Sequence, residues 1–96
     1  MALVKVSSLV ETVDAAGTAQ ALSTTSLEVV KAVVKAQADN TGNIFVGDSS
    51  VSSATGLVLD AGQEVVLDPA RGYIDLSQVY IDAGTTDDGV EVLYYR

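Results

Sequence analysis

The stretch Asp39–Asp68, DNTGNIFVGDSSVSSATGLVLDAGQEVVLD, decides how this chain is read. It holds half of the eight glycines, and they fall singly at the ends of short apolar runs. Asp39-Asn-Thr-Gly42 is a turn signal. Asn and Gly tolerate positive φ, and an Asp side chain accepts from amides just downstream. Ile44 and Val46 then alternate with Phe45, the period of a strand ending at Gly47. Asp48–Gly56 is a serine-rich loop carrying one valine, Val51. Leu57–Leu59 and Glu64–Leu67 are short strands on either side of a tight turn at Asp60-Ala-Gly62-Gln63, and Asp68-Pro69 stops the second, because proline cannot donate to a ladder.

Upstream, Leu27–Ala38 is the longest strand candidate. It sets Val30, Ala32, Val34 and Ala36 on one face and Val29, Lys31, Val33 and Lys35 on the other, so the lysine face is expected to be only partly wet. A helix is the competing assignment, since Ser26 ahead of Val29 and Val30 resembles a helix start. The run of valines favours the strand, because β-branched side chains fit a pleated surface and lose rotamer freedom in a helix. Across the Asp39–Gly42 turn, this strand and Asn43–Gly47 are expected to form an antiparallel hairpin. Thr18–Ser23 is a weaker alternating segment, and Ser23-Thr-Thr-Ser26 is loop chemistry.

Downstream, Tyr73–Ser77 is irregular or one helical turn. Gln78–Ala83 is a strand with Val79 and Ile81 opposed to Tyr80. Gly84–Gly89 is a longer hairpin loop. Val90–Tyr95 sets Val90, Val92 and Tyr94 against Glu91, Leu93 and Tyr95. The sum is about seven or eight short strands with regular turn signals, the pattern of an all-β sandwich or barrel. The expected fold is an antiparallel β-sandwich, jelly-roll-like, over residues 22–96. Residues 1–21 form an extended N-terminal arm or first strand.

Ninety-six residues make one domain. A chain of this mass folds to about 5,200 Å² of surface from roughly 14,000 Å², a small core that association would support. Cysteine and histidine are both absent. That removes disulfides, thiolate chemistry and the commonest general base and transition-metal ligand. Net charge is −8, and from Asp39 onward ten acids face two bases, Arg71 and Arg96. Nucleic-acid binding needs clustered lysine and arginine, so nucleic acid is excluded as a partner, and an anionic membrane is disfavoured by the same sign. MALVKVSSLV is too short and too interrupted, by Lys5, for a membrane span or a cleaved signal.

Three acidic groups are worth weighing. Asp82, Asp87 and Asp88 lack the spacing of a calcium loop and read as a solvated hairpin tip. Asp39, Asn40, Asn43 and Asp48 offer oxygen ligands, but the turn already accounts for them. Asp60, Glu64 and Asp68 flank one strand without a cleft around them. No catalytic, cofactor or metal site is therefore assigned. Tyr94, Tyr95 and Arg96 are residue types enriched at protein interfaces. With Leu3, Val4 and Val6 of the N-terminal segment and Val51 of the serine-rich loop, they are the candidate protein-interface residues.

Taken in order, the valine-rich strand, the A-D-N-T-G turn, the I-F-V-G strand, the serine-rich loop and the L-D-A-G-Q turn resemble small structural proteins of tailed bacteriophage virions. IDLSQVYIDAGTTDDGVEVLYY resembles their closing strands, so the likeness spans about residues 22–96. It implies a non-enzymatic head decoration or cement protein on the capsid surface, made in the host cytoplasm. The implied partners are the major capsid protein and further copies of itself, with a trimer favoured. The alternative it leaves open is a tail or fibre module that binds a host-surface carbohydrate, or another tail protein, with Phe45, Tyr73, Tyr80, Tyr94 and Tyr95 as the aromatics available for stacking on sugar rings.

Overall fold

The computed structural model describes residues 4–96, and the strands run in chain order as β1 (Val6–Thr12), β2 (Gln20–Ala21), β3 (Glu28–Val29), β4 (Lys31–Ala36), β5 (Ile44–Gly47), β6 (Leu57–Leu59), β7 (Glu64–Leu67), β8 (Ile74–Asp75), β9 (Tyr80–Ala83) and β10 (Gly89–Tyr95). One 3-10 turn, Leu76–Gln78, follows β8, and no α-helix occurs among the described residues. The chain is all-β. Its first sheet has the order β1-β10-β4-β7, its second β2-β9-β5-β6, and β3 with β8 makes a two-residue ladder. Every pairing is antiparallel.

The two four-stranded sheets share one core, a sandwich-like arrangement. Ala32, Val34, Ala36, Val90 and Val92 of the first sheet cluster with Ile44, Val46, Leu59, Ile81 and Ala83 of the second. Val29 of β3 joins the same cluster, with Val13, Leu22 and Leu76 from the segments between and beside the strands. The alternation expected for β10 is kept, with Val90 and Val92 inward and Glu91 and Leu93 outward. Residues 6–12, assigned from sequence to an arm or first strand, form β1 and pair with β10 from Val6↔Tyr95 to Thr12↔Gly89.

Three expectations about connectivity are corrected. The long strand over Leu27–Ala38 is broken at Val30, which bends between β3 and β4 while its amide donates to the Tyr95 carbonyl at 2.8 Å. Because of that bend Val29 and Ala32 are both buried in the core, where an unbroken period of two sets them on opposite faces. Second, β4 and β5 do not form a hairpin. Both sides of β4 are taken, by β10 and β7, and β5 pairs with β6 and β9 in the other sheet. The Asp39–Gly42 turn is therefore an arch between sheets. It is held by Asp88, whose carboxylate accepts from the Thr41 amide at 2.9 Å and the Gly42 amide at 2.7 Å. Third, Gly84–Gly89 is no hairpin loop either, since it carries the chain from β9 in the second sheet to β10 in the first.

Candidate functional site

Side chains alternate across a sheet, so each sheet has one face on the core and one turned away from it. The two outer faces differ. Phe45, Gly47, Tyr80 and Asp82 share the outer parity of the second sheet with Val58, and the chain covers part of that face, leaving Val58 47% exposed at the β6 edge. Phe45 and Asp82 are buried, Asp82 to 2% exposure. The Gly17 amide donates to the Asp82 carboxylate at 2.9 Å, which ties the β1–β2 loop across the strand. The serine-rich loop folds back so that Val51 lies against Gly47 and Gly56. Gly56 has φ +103, and a Cβ there would stand 2.6 Å from the Val51 side chain. Side-chain and backbone oxygens of Asp48, Ser50, Ser52 and Thr55 close this loop on itself. Val51, a candidate interface residue, is thus buried, with 5% exposure, and packs inside its own loop.

The outer face of the first sheet is bare. Its registers run straight across the strands: Val6–Tyr95–Lys31, then Ser8–Leu93–Val33–Val66, then Val10–Glu91–Lys35–Glu64. Val6 is 61% exposed, Val10 60%, Val66 49% and Leu93 41%. A groove of about 400 Å³ runs between Ser8, Val33, Lys35, Glu64, Glu91 and Leu93. Lys31 and Lys35 match Glu64 and Glu91 in number, so this face is neutral on a chain whose net charge is −8. The face is mixed, an apolar row of Leu93, Val33 and Val66 beside a row of matched charges. The Lys31 ammonium lies 5.9 Å from the Tyr95 ring centroid, within cation–π reach, which steadies both side chains on the rim of the face.

The candidate residues from sequence divide accordingly. Val6 and Tyr95 belong to this face. Val4 is exposed just before β1, and Arg96 exchanges backbone hydrogen bonds with Lys5 at 3.0 and 2.8 Å. Tyr94 turns the other way and packs half-buried on the core. Leu3 lies outside the described residues. Val10, Val33, Val66 and Leu93 were not singled out, because a valine in a half-buried strand has the same identity on either face. The signal was the alternation of Lys31 and Lys35 with Val33.

Three acidic side chains, Asp75, Asp82 and Asp88, hold segments of the fold together. Asp88 and Asp82 are buried acceptors, not members of a solvated tip, and of the Asp87-Asp88 pair only Asp87 is exposed, at φ 74. Asn40 exchanges two hydrogen bonds of 2.9 Å with the Gly89 backbone. Asp75 ties β8 to the β3 entry. Its carboxylate accepts from the Ser26 hydroxyl at 2.7 Å, the Ser77 hydroxyl at 2.7 Å, and the Leu27 and Ser77 amides at 3.0 and 2.9 Å. Those donors, the Ser26 hydroxyl foremost, hold its pKa well below the usual carboxylate range. Among the described residues no three acidic side chains gather as a metal cluster would require. No helix among them is long and apolar enough to cross a membrane. Of the tyrosines only Tyr73 is largely exposed, at 68%.

No family model matches the sequence, and no curated protein or solved structure is significantly similar to it.

Proposed function

We propose that this chain is a non-enzymatic structural protein that docks on other proteins through the bare outer face of its first sheet. We further propose that it works on the capsid surface of a tailed-phage virion, seated on the major capsid protein as a decoration subunit. The observation that carries the docking role is the contrast between the two outer faces. Loops cover Phe45, Gly47 and Asp82 on one sheet, where Val58 alone of that face stays among the exposed large hydrophobics, while the other sheet's face stays open across all four strands, with matched charges around its apolar row. Exposed contiguous apolar surface of this kind marks interaction sites. The order β1-β10-β4-β7 over β2-β9-β5-β6 supports a jelly-roll reading, an architecture used in capsid and lectin domains. The capsid role rests on the resemblance in residues 22–96 and on that fold-level analogy.

The size of the face sets the mode of binding. Four strands at ~4.8 Å spacing and ~3.3 Å per residue give about 400 Å². A stable interface takes about 800 Å² from each partner, so one copy binds weakly and repetition on a lattice supplies the rest. The test is to purify particles and identify their proteins. This chain is expected among head proteins at high copy number, and Val33→Lys with Leu93→Lys is expected to lower its occupancy at least tenfold while the variant stays folded. Its absence from the particle ends the capsid reading. Location on the tail instead moves the docking face to the alternative role.

A further inference from the structure

We infer that β1 is a self-pairing edge: a second copy of this chain docks antiparallel against it, Ser8 opposite Ser8, and joins the two first sheets into one of eight strands. This goes beyond the capsid reading and does not require it.

Four strands stand at the edges of the two four-stranded sheets, and β1 is the longest, with seven residues against four in β7, three in β6 and two in β2. The direction of its free groups follows from its pairing. Lys5 and Arg96 exchange both backbone bonds, and the Val13 amide donates to the Asp88 carbonyl at 2.9 Å. In an antiparallel ladder such pairs alternate, so the odd residues from Lys5 to Val13 turn toward β10. The amides and carbonyls of Val6, Ser8, Val10 and Thr12 turn away from it. Thr12 is already engaged, since its carbonyl accepts from the Gln20 side-chain amide at 2.7 Å. Among the described residues the open edge is therefore Val6 to Val10.

A second β1 centred on Ser8 fills that edge and stops there. Val6 meets the other copy's Val10, Ser8 meets Ser8 and Val10 meets Val6, and the three pairs exchange all six free groups. Centring on Leu9 instead sets Val6 opposite Thr12, where Gln20 already occupies the carbonyl. The side chains favour the same register. Val6 and Val10, the two exposed large hydrophobics of β1, cover one another twice. Lys5 falls opposite Glu11 of the other copy, also twice, and opposite charges across a strand pair are favourable. Nothing between Val6 and Val10 guards the edge, as a charge, a proline or a bulge would. By contrast, β7 begins at Glu64 and is followed by Asp68-Pro69. Because the two-fold axis stands normal to the sheet, both bare faces lie on one side. The joined face reaches about 800 Å², one partner's share of a standard interface.

The experiment is sedimentation equilibrium of the full chain from about 1 μM to about 1 mM, with hydrogen exchange on the same samples. The expected result is a monomer–dimer equilibrium, with the Val6, Ser8 and Val10 amides gaining protection as concentration rises. Ser8→Pro removes an outward amide and leaves the β10 ladder intact. It is expected to be monomeric throughout, with the parent's far-UV circular dichroism. Lys5→Glu and Glu11→Lys are each expected to raise the dimer Kd several-fold, and the double exchange to restore it within about twofold. If Ser8→Pro does not fold, Val10→Lys and the charge exchange decide. A monomer at the highest concentration, a trimer, or a dimer indifferent to folded Ser8→Pro or Val10→Lys overturns the inference.

Discussion

Asp88 shows how much one side chain decides here. Its carboxylate alone accepts from the Thr41 and Gly42 amides, and it is 6% exposed. Asp88→Ala leaves those two part-buried donors without their acceptor, and a donor left without a partner costs up to about 1–3 kcal/mol when it is buried. The variant is expected to lose about 1–3 kcal/mol of stability, read from the urea midpoint at unchanged slope. In the sequence Asp87 and Asp88 are the same residue twice, and what separates them is a pair of amides more than forty positions away. Asp75 is more local, and its effect appears with pH. Its folded pKa lies below the unfolded value, so its contribution is fully present above that value and fades as pH falls toward the folded one. Asp75→Asn is therefore expected to be less stable than the parent at pH 7, and the gap to narrow below about pH 4. Urea titrations at neutral and acid pH measure the two curves.

Among the elements, the β1–β10 ladder carries a tight constraint at its far end. A Cβ on Gly89 would stand 2.6 Å from the Glu11 carbonyl oxygen and 3.1 Å from the Thr12 Cα. Both are backbone atoms of the paired strand, so the ladder itself must open. Gly89→Ala is expected to cost about 1–3 kcal/mol and to speed exchange of the amides at the Thr12 end of β1. The strands themselves were legible: alternation in Val90–Tyr95 names its buried and exposed sides without help, whereas in Ile44–Gly47 it separates two faces that are both buried. Their partners were not. Asp39-Asn-Thr-Gly42 has the chemistry of a hairpin turn, but turn chemistry reports only that the chain bends. Whether the next strand lies beside the last or in the facing sheet depends on Asp88 and on β10, which arrive later in the chain. The bend at Val30 was hidden for the same reason, because its amide answers to Tyr95.

At the scale of the molecule, apolar side chains are not sorted by burial alone. The core takes Val34, Val90 and Val92, while Val6, Val10 and Val66 stay in solvent on the first sheet. Composition counts these valines together, which is why the all-β class was legible and the bare outer face was not. Acidity is distributed the other way, with Asp82 and Asp88 inside holding loops, and matched charges on the bare face. The order β1-β10-β4-β7 has one more consequence, in time. The central partner of β1 is the last of the ten strands to leave the ribosome. At roughly 5–20 residues per second the wait is several seconds or more. Through that interval β1 has no neighbour on either side, and the first sheet cannot close. A nascent chain halted before Gly89 presents two open edges in place of one, so interrupted translation yields a species primed to aggregate, and completion of β10 is the event that retires the hazard.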